Sequence, residues 1–122
     1  MAVILLDSNA VIYLSKGLIT INELPNDRSY AVSIITYMEV MGYDFNNAQE
    51  KSLIESLFGH FTVLMLDQPI ANRVVNLRQI YKIKLPDAII CATAIQYQAT
   101  LVTNDIRLGK IDGLSTYQLR KL

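Results

Sequence analysis

The sequence predicts a single α/β domain with a central parallel β-sheet flanked by α-helices. Short apolar runs alternate along the chain with longer segments in which apolar residues recur every three or four positions. This alternation of strand and helix patterns is typical of parallel sheets. Apolar residue types account for 52% of the 122 residues, which is enough to bury both faces of such a sheet. We therefore expect residues 1–122 to form one domain.

Five short segments are predicted as strands, because they are rich in Val, Ile, Leu, Thr or Tyr and are bounded by turn or cap residues. Four of them should form the body of the sheet, and the last should form a short edge strand. In chain order they are residues 3–6, 30–32, 61–66, 100–103 and 114–117.

The predicted helices begin at residues that stabilise helix N-termini. A first helix covers residues 10 to about 15, Ser33 and Asp67 precede two others, and Asn47 has Glu50 three residues later, the spacing of a capping box. The helix that starts near Pro86 is apolar on nearly all sides, so we expect it to be central.

Apolar side chains left on the outer helices should form a homodimer contact across a two-fold axis. The segments considered for this contact are residues 53–58 and 70–81.

Charge is distributed unevenly along the chain, although the formal net charge is zero. Residues 1–72 contain eight acidic and three basic side chains, net −5, whereas residues 73–122 contain three acidic and eight basic side chains, net +5. A basic rim around an acidic floor would suit a phosphodiester substrate, because the bases neutralise phosphate charge. A solvated helix face is the alternative interpretation. The residues of this predicted rim are Arg73, Arg78, Lys82, Lys84, Arg107 and Lys110.

Two features favour a cytoplasmic protein. The longest charge-free stretch, residues 88–104, is too short and too polar for a membrane-spanning helix, and no basic segment marks a secretory signal. The single cysteine, Cys91, cannot form an internal disulfide, which suits a reducing compartment. Cys91 stands among apolar residues and is predicted to be a small buried side chain.

Four acidic residues stand where an apolar run meets a turn or a helix start. Asp7 closes the first strand and Asp105 follows the fourth, while Glu39 lies on the helix after the second strand and Asp87 opens the apolar helix. Any one of them alone would more commonly be a solvated side chain or a helix cap. Because parallel strands end at the same edge of a sheet, their shared placement predicts one acidic cleft at that edge.

Such a cleft favours a bound cation. Two carboxylates about 4 Å apart repel by roughly 4 kcal/mol at an effective dielectric constant near 20. The cleft has no imidazole or thiolate to offer, since the only histidine is His60 and the only cysteine is Cys91. Carboxylate oxygens prefer hard ions, so Mg²⁺ or Mn²⁺ is the expected cofactor.

Four motifs together carry a family resemblance. They are LDSN at residues 6–9, TYME at 36–39, LPDA at 85–88 and LVTND at 101–105. Each motif is weak alone, but their order within a chain of 122 residues resembles the PIN domain. In size the chain is similar to the VapC-type toxin ribonucleases of toxin–antitoxin pairs, and the resemblance covers nearly the whole of it.

The resemblance implies endonucleolytic cleavage of RNA that depends on Mg²⁺ or Mn²⁺, a homodimer, and a cognate antitoxin that blocks the site. It also implies that water, activated by the metal, attacks the phosphodiester. Asn9 and Thr103 match polar positions beside the acids and would orient a carboxylate or a water molecule. Residues 106–109 depart from the pattern, because many relatives have an aromatic residue there. The family's catalytic and metal-binding positions fall on Asp7, Glu39, Asp87 and Asp105.

Two alternative functions remain at this stage. One is a haloacid-dehalogenase-like phosphatase, in which Asp7 would close the first strand, but the second carboxylate expected two residues later is replaced by Asn9. The other is a PIN-like scaffold that binds RNA or protein without cleaving it. A serine-nucleophile mechanism is disfavoured, because Ser8 has no predicted base partner.

Overall fold

The computed structural model describes residues 3–25 and 29–120. Five parallel strands form one sheet in the order β3-β2-β1-β4-β5. The predicted α/β class with a parallel sheet is confirmed. The strands are β1 (Val3–Leu6), β2 (Ser29–Ser33), β3 (Thr62–Leu64), β4 (Thr100–Thr103) and β5 (Ser115–Gln118).

Five α-helices connect and cover the strands. The longest of them in the described residues, α4, has 13 residues, whereas a helix needs about 20 to cross a membrane. No helix in the described part of the chain is long and apolar enough to do so. The helices are α1 (Ser8–Ser15), α2 (Ile34–Met41), α3 (Ala48–Gly59), α4 (Gln68–Ile80) and α5 (Leu85–Gln96), with short 3₁₀ helices at Ile21–Glu23 and Ile106–Lys110.

Three predicted boundaries were wrong by a few residues. Helix α1 begins at Ser8 rather than residue 10, because the Asp7 side chain itself caps it. Strand β3 ends at Leu64 rather than residue 66, and the apolar side chains of Met65 and Leu66 are exposed. The edge strand β5 lies one residue later than predicted.

Strand β1 is the centre of the sheet and sets the position of the site. It pairs with β2 on one side and β4 on the other, so that Leu5 is opposite Ala31 and Leu101. From β1, strands β2 and β3 are added on one side of the sheet and β4 and β5 on the other. Because the strand order reverses between β1 and β4, a crevice lies at the carboxyl ends of these two strands. Ligands bind at this kind of switch point in open α/β sheets.

Side chains of β1 alternate between two apolar layers, as expected for a strand buried on both faces. Leu5 contributes to the layer that contains α4 and α5. Ile4 and Leu6 contribute to the layer on the opposite face, which contains α1 and α3. Helix α5 is central as predicted, since every residue from Ala88 to Ala94 is buried.

The outer helices expose fewer apolar side chains than the homodimer prediction assumed. In residues 53–58 the side chains of Ile54 and Phe58 are buried in the monomer core, and in residues 70–81 so are those of Ile70, Val74 and Leu77. Packing within one chain therefore explains the helical spacing of the apolar residues in these two segments. A homodimer through these helices would have to use their exposed apolar side chains, which include Leu53, Val75 and Ile80.

Candidate functional site

Asp7 is fixed between two strands and a helix. Its backbone N–H donates to the carbonyl of Val102 on β4 at 3.2 Å, and its carboxylate accepts from the Ala10 N–H at 2.8 Å, which caps α1. Burial raises the pKa of Asp7 to about 6, against the lowering effects of the hydrogen bonds from Ala10 and Thr103. The charges of Asp87 and Asp105 raise it further.

Asp87, in the first turn of α5, is the acid that links the other three electrostatically. Its pKa is raised, first by burial and then by the charge of Asp105, and Glu39 adds a smaller contribution in the same direction. The charge of Asp87 also raises the pKa of Asp7. The positive charge of Arg107 opposes this rise in the pKa of Asp87 more strongly than the charge of Lys84 does. The predicted acids therefore share one electrostatic environment, with Asp87 at its centre.

Asp105 differs from these two because it has a counter-ion. Its carboxylate oxygens accept from Arg107 Nε at 3.0 Å and Arg107 Nη2 at 2.8 Å, and one of them also accepts from the Arg107 backbone N–H at 3.0 Å. These hydrogen bonds with Arg107 lower the pKa of Asp105. The guanidinium is 81% exposed, so water competes with the pair and it contributes little to stability.

Glu39 lies on the exposed rim of the site. It extends from α2, and its Oε1 accepts a 2.7 Å hydrogen bond from the Ser8 hydroxyl in the first turn of α1. Sequence reasoning missed this role for Ser8. The two residues are 31 positions apart, and no local pattern in the sequence indicates that they meet.

The two predicted polar neighbours have different positions. Thr103 is fully buried, and its hydroxyl hydrogen-bonds to the Asp7 side chain while accepting from the Asp105 backbone N–H at 3.0 Å. It thus connects two of the acids. Asn9 instead donates to Asn104 at 3.5 Å, and no hydrogen bond joins it to any of the four acids within the described residues. Asn104 in turn donates to the Tyr13 hydroxyl at 3.0 Å.

The site contains only hard oxygen ligands. Cys91 is buried, and burial, assisted by the charges of the nearby acids, raises the pKa of its thiol to about 12, so it supplies no thiolate. His60 ends α3 and does not contribute to the electrostatics of the acids. The carboxylates of Asp7 and Asp87, whose pKa values burial raises, fit a hard divalent cation.

The acids do not form a closed ligand cage. Across residues 3–25 and 29–120, no three His, Cys, Asp or Glu side chains converge as a ready metal-binding group. The reason lies in their present partners: Asp105 is oriented by Arg107, Glu39 by Ser8, and Asp7 by the N-terminus of α1. Coordination of one cation by all four acids would require Arg107 to release Asp105.

Two recesses open beside Arg107. One has a volume of about 150 Å³ and is lined by three basic side chains together with Asp87. The other, of about 770 Å³, is lined by residues that include Asn9, Asp105 and Gln118. The basic residues of the smaller recess are Lys82, Lys84 and Arg107.

Only part of the predicted basic rim reaches the acids. Arg73 donates to Gln96, nine residues after Asp87 on α5, and therefore lies about 14 Å from it along the helix axis. Arg78 and Lys110 line neither recess. Of the predicted rim residues, Lys82, Lys84 and Arg107 therefore lie in the same recess as Asp87.

The fold and the acidic edge correspond to a known family. The family model of the PIN domain matches residues 4–114, which include all four acids. The chain belongs to the PIN domain family, and the predicted resemblance is confirmed. This assignment argues against the haloacid-dehalogenase-like phosphatase.

Solved structures give a more particular likeness. A chain of a toxin–antitoxin complex from Klebsiella pneumoniae is 34% identical, with a TM-score of 0.74 over 98% of this chain and 100% of that one. A chain of VapBC2 from Rickettsia felis, bound to a promoter DNA fragment, has a TM-score of 0.84 at 20% identity and covers 97% and 99%. A chain of DNA-bound VapBC from Salmonella typhimurium has a TM-score of 0.83 at 23% identity, over 97% of this chain and 98% of that one. The last two show the shared fold alone. A search of curated protein sequences gives no match.

Proposed function

We propose that this protein is a Mg²⁺- or Mn²⁺-dependent endoribonuclease and the toxin of a VapBC-type toxin–antitoxin pair. The observation that supports the proposal is the electrostatic coupling of four acids from four parts of a PIN domain near the switch point of the sheet. Burial raises the pKa of two of these acids, Asp7 and Asp87, and a divalent cation would stabilise their ionised forms.

The metal would be held by carboxylate oxygens. When bound, Mg²⁺ or Mn²⁺ would polarise the scissile phosphate and lower the pKa of the water that attacks phosphorus. The chain needs no nucleophile of its own for such a hydrolysis. The proposed ligands are Asp7, Glu39, Asp87 and Asp105.

Neighbouring side chains orient the proposed ligands by hydrogen bonds. Thr103 orients Asp7 through its hydroxyl, and the same hydroxyl fixes the backbone that carries Asp105. Ser8 orients Glu39 from the first turn of α1. Since the pKa of Asp7 is about 6, its ligand form prevails only above that pH, and activity should fall as the pH drops below it.

The proposed partners are RNA, an antitoxin and a second copy of the chain. The solved relatives described above are chains from VapBC and toxin–antitoxin complexes, which supports an antitoxin as partner. Purification with the product of the adjacent reading frame should give a stable complex that does not cleave RNA. Light scattering of the isolated protein at high concentration should give the mass of a dimer, and a monomer would contradict that part of the proposal.

The direct test of function is incubation with total RNA in the presence of Mg²⁺ or Mn²⁺, with and without EDTA. We expect metal-dependent cleavage and no hydrolysis of a phosphomonoester. The variants Asp7→Asn and Asp87→Asn should not cleave. If the parent binds RNA but does not cleave it with either Mg²⁺ or Mn²⁺, the result would support the non-cleaving scaffold instead.

A further inference from the structure

The smaller recess has an unusual charge for a cavity beside an acidic site. Three cationic side chains line it, and Asp87 is the only acid that lines it among the residues that the structure describes. The apolar part of its wall is formed by Ile83 and Leu108. Its volume of about 150 Å³ suits a small group rather than a base or a whole nucleotide.

The link between α4 and α5 explains why both lysines face this recess. The backbone is extended at Tyr81 and again at Lys84, and between them the Ile83 N–H donates to the Tyr81 carbonyl at 3.1 Å, which makes Lys82 the centre of a tight turn. Ile83 packs against the core layer of α4 and α5, so Lys82 and Lys84 on either side of it remain exposed. Both lysines line the recess together with Ile83.

In the described part of the chain, the two lysines are not held by salt bridges, whereas Arg107 is paired with Asp105. Neither Lys82 nor Lys84 forms a salt bridge with any acid in residues 3–25 or 29–120. Arg107 uses Nε and Nη2 for Asp105, which leaves Nη1 without a hydrogen-bond partner in the same part of the chain. An anion in the recess would find three cationic donors within one small volume.

We propose that Lys82, Lys84 and Arg107 form a binding subsite for an RNA phosphate that neighbours the phosphate to be cleaved. The subsite rests on the proposed function, since it assigns the anion to the RNA substrate. Its wall is shared with Asp87, so an occupied subsite would hold the RNA backbone next to the acids. Arg107 would then connect the two parts, with one edge on Asp105 and its free Nη1 towards the RNA phosphate.

RNA binding in EDTA tests the subsite without any cleavage. The affinity of a fluorescein-labelled oligouridine is measured by anisotropy between about 50 and 200 mM salt. The double variant Lys82→Gln/Lys84→Gln should bind more weakly than the parent. The slope of log affinity against log salt should become less steep by up to about 0.7, which is the contribution of one neutralised phosphate on a single strand, because the subsite holds one phosphate.

The matched control removes the same charge elsewhere. Lys16 and Lys51 are exposed and lie on or beside α1 and α3, so Lys16→Gln/Lys51→Gln should keep the parental slope. Equal slopes for the two double variants would overturn the subsite. Inorganic phosphate is the second probe: if it stabilises the parent but not Lys82→Gln/Lys84→Gln, while both bind oligouridine equally, the recess is a free-phosphate site and the RNA assignment is wrong.

The subsite and the proposed function fail separately. If the lysine double variant loses salt-dependent binding but the parent never cleaves RNA with Mn²⁺, the subsite stands and the nuclease proposal falls. If the parent cleaves and the lysine double variant binds and cleaves like the control, the nuclease proposal stands and the subsite falls.

Discussion

The carboxyl ends of β1 and β4 are built alike but hold their acids in opposite electrostatic states. Asp7 and Asp105 each follow a buried strand and cap the helix that comes next. Burial raises the pKa of Asp7 to about 6, whereas the hydrogen bonds from Arg107 lower the pKa of Asp105. Position in the fold brings an acid to the site, and burial and counter-ions decide how it titrates.

The comparison also separates two ways in which a metal would gain access to its ligands. At β1 the cation would relieve an unpaired charge, and at β4 it would compete with an arginine already in place. A cluster of unpaired acids costs stability until the cation arrives. Changes at the two strand ends should therefore have different effects on stability and on metal binding.

The largest expected effect is on catalysis. Asp87 is coupled to the other three acids, so Asp87→Asn should reduce RNA cleavage with Mn²⁺ by at least about a hundredfold, the upper end of the range for groups that only orient a metal ligand. An RNA-cleavage gel measures it. Asp112→Asn, an exposed acid on a loop, is the control and should cleave normally; equal rates for both variants would contradict the assignment.

The second effect is on stability and depends on pH. Because burial raises the pKa of Asp7 from an ordinary value of 3.8 to about 6 in the folded protein, its ionised form opposes folding. The penalty is absent below about pH 4, grows as the pH rises, and is complete above about pH 6. Asp7→Asn keeps the helix cap and should therefore raise the free energy of unfolding in EDTA by at most about 3 kcal/mol at pH 7.

Urea unfolding at several pH values measures this difference. It should shrink as the pH falls and become small near about pH 3, which is below the pKa of Asp7 in both states. Asp105→Asn provides the contrast: a lowered pKa means that the carboxylate favours folding above its ordinary pKa, so this variant should lose a little stability at pH 7. Stabilisation by both variants would show that the strand ends are not in opposite states.

The third effect concerns the hydroxyl that joins the two strand ends. Thr103→Val removes a buried hydrogen bond to Asp7 and should destabilise the protein by about 1–3 kcal/mol. It should also raise the pKa of Asp7, so that Mn²⁺ stabilises the variant only at higher pH than the parent. Thr93→Val is matched, since the Thr93 hydroxyl is buried and donates to Ile89. It should lose similar stability without the pH shift.

The smallest effect is expected at Arg107. Arg107→Gln frees Asp105, so Mn²⁺ should bind modestly more tightly in a calorimetric titration, with little change in the melting temperature. Arg120→Gln breaks a similar ion pair with Glu23 away from the site and should leave Mn²⁺ affinity unchanged. Weaker binding by the Arg107 variant would mean that the arginine supports the metal site rather than competing with it.

Local patterns in the sequence predicted much of the fold and the placement of the acids. Strand ends and helix caps depend on neighbouring residues, which is why Asp7, Ser33 and Asp67 could be placed before the structure was known. The end of β3 could not, because Met65 and Leu66 are apolar and yet exposed.

Contacts within the site between residues far apart in the chain could not be predicted from the sequence. The hydrogen bond from Ser8 to Glu39 joins residues 31 positions apart. The convergence of the 82–84 link on Arg107 likewise depends on how α4 and α5 pack together. The local Arg107–Asp105 pair could have been inferred, because an arginine two residues after a capping aspartate can reach its carboxylate.

The central claim is that the four acids hold one divalent-cation site. Thermal melts in EDTA and in Mn²⁺ at a pH above 6 test it most directly, since a ligand that binds only the folded state raises its stability. The parent should melt at a markedly higher temperature with Mn²⁺, and Asp7→Asn and Asp87→Asn should show almost no Mn²⁺ response while melting no lower than the parent in EDTA. An undiminished Mn²⁺ response in both variants would contradict the account.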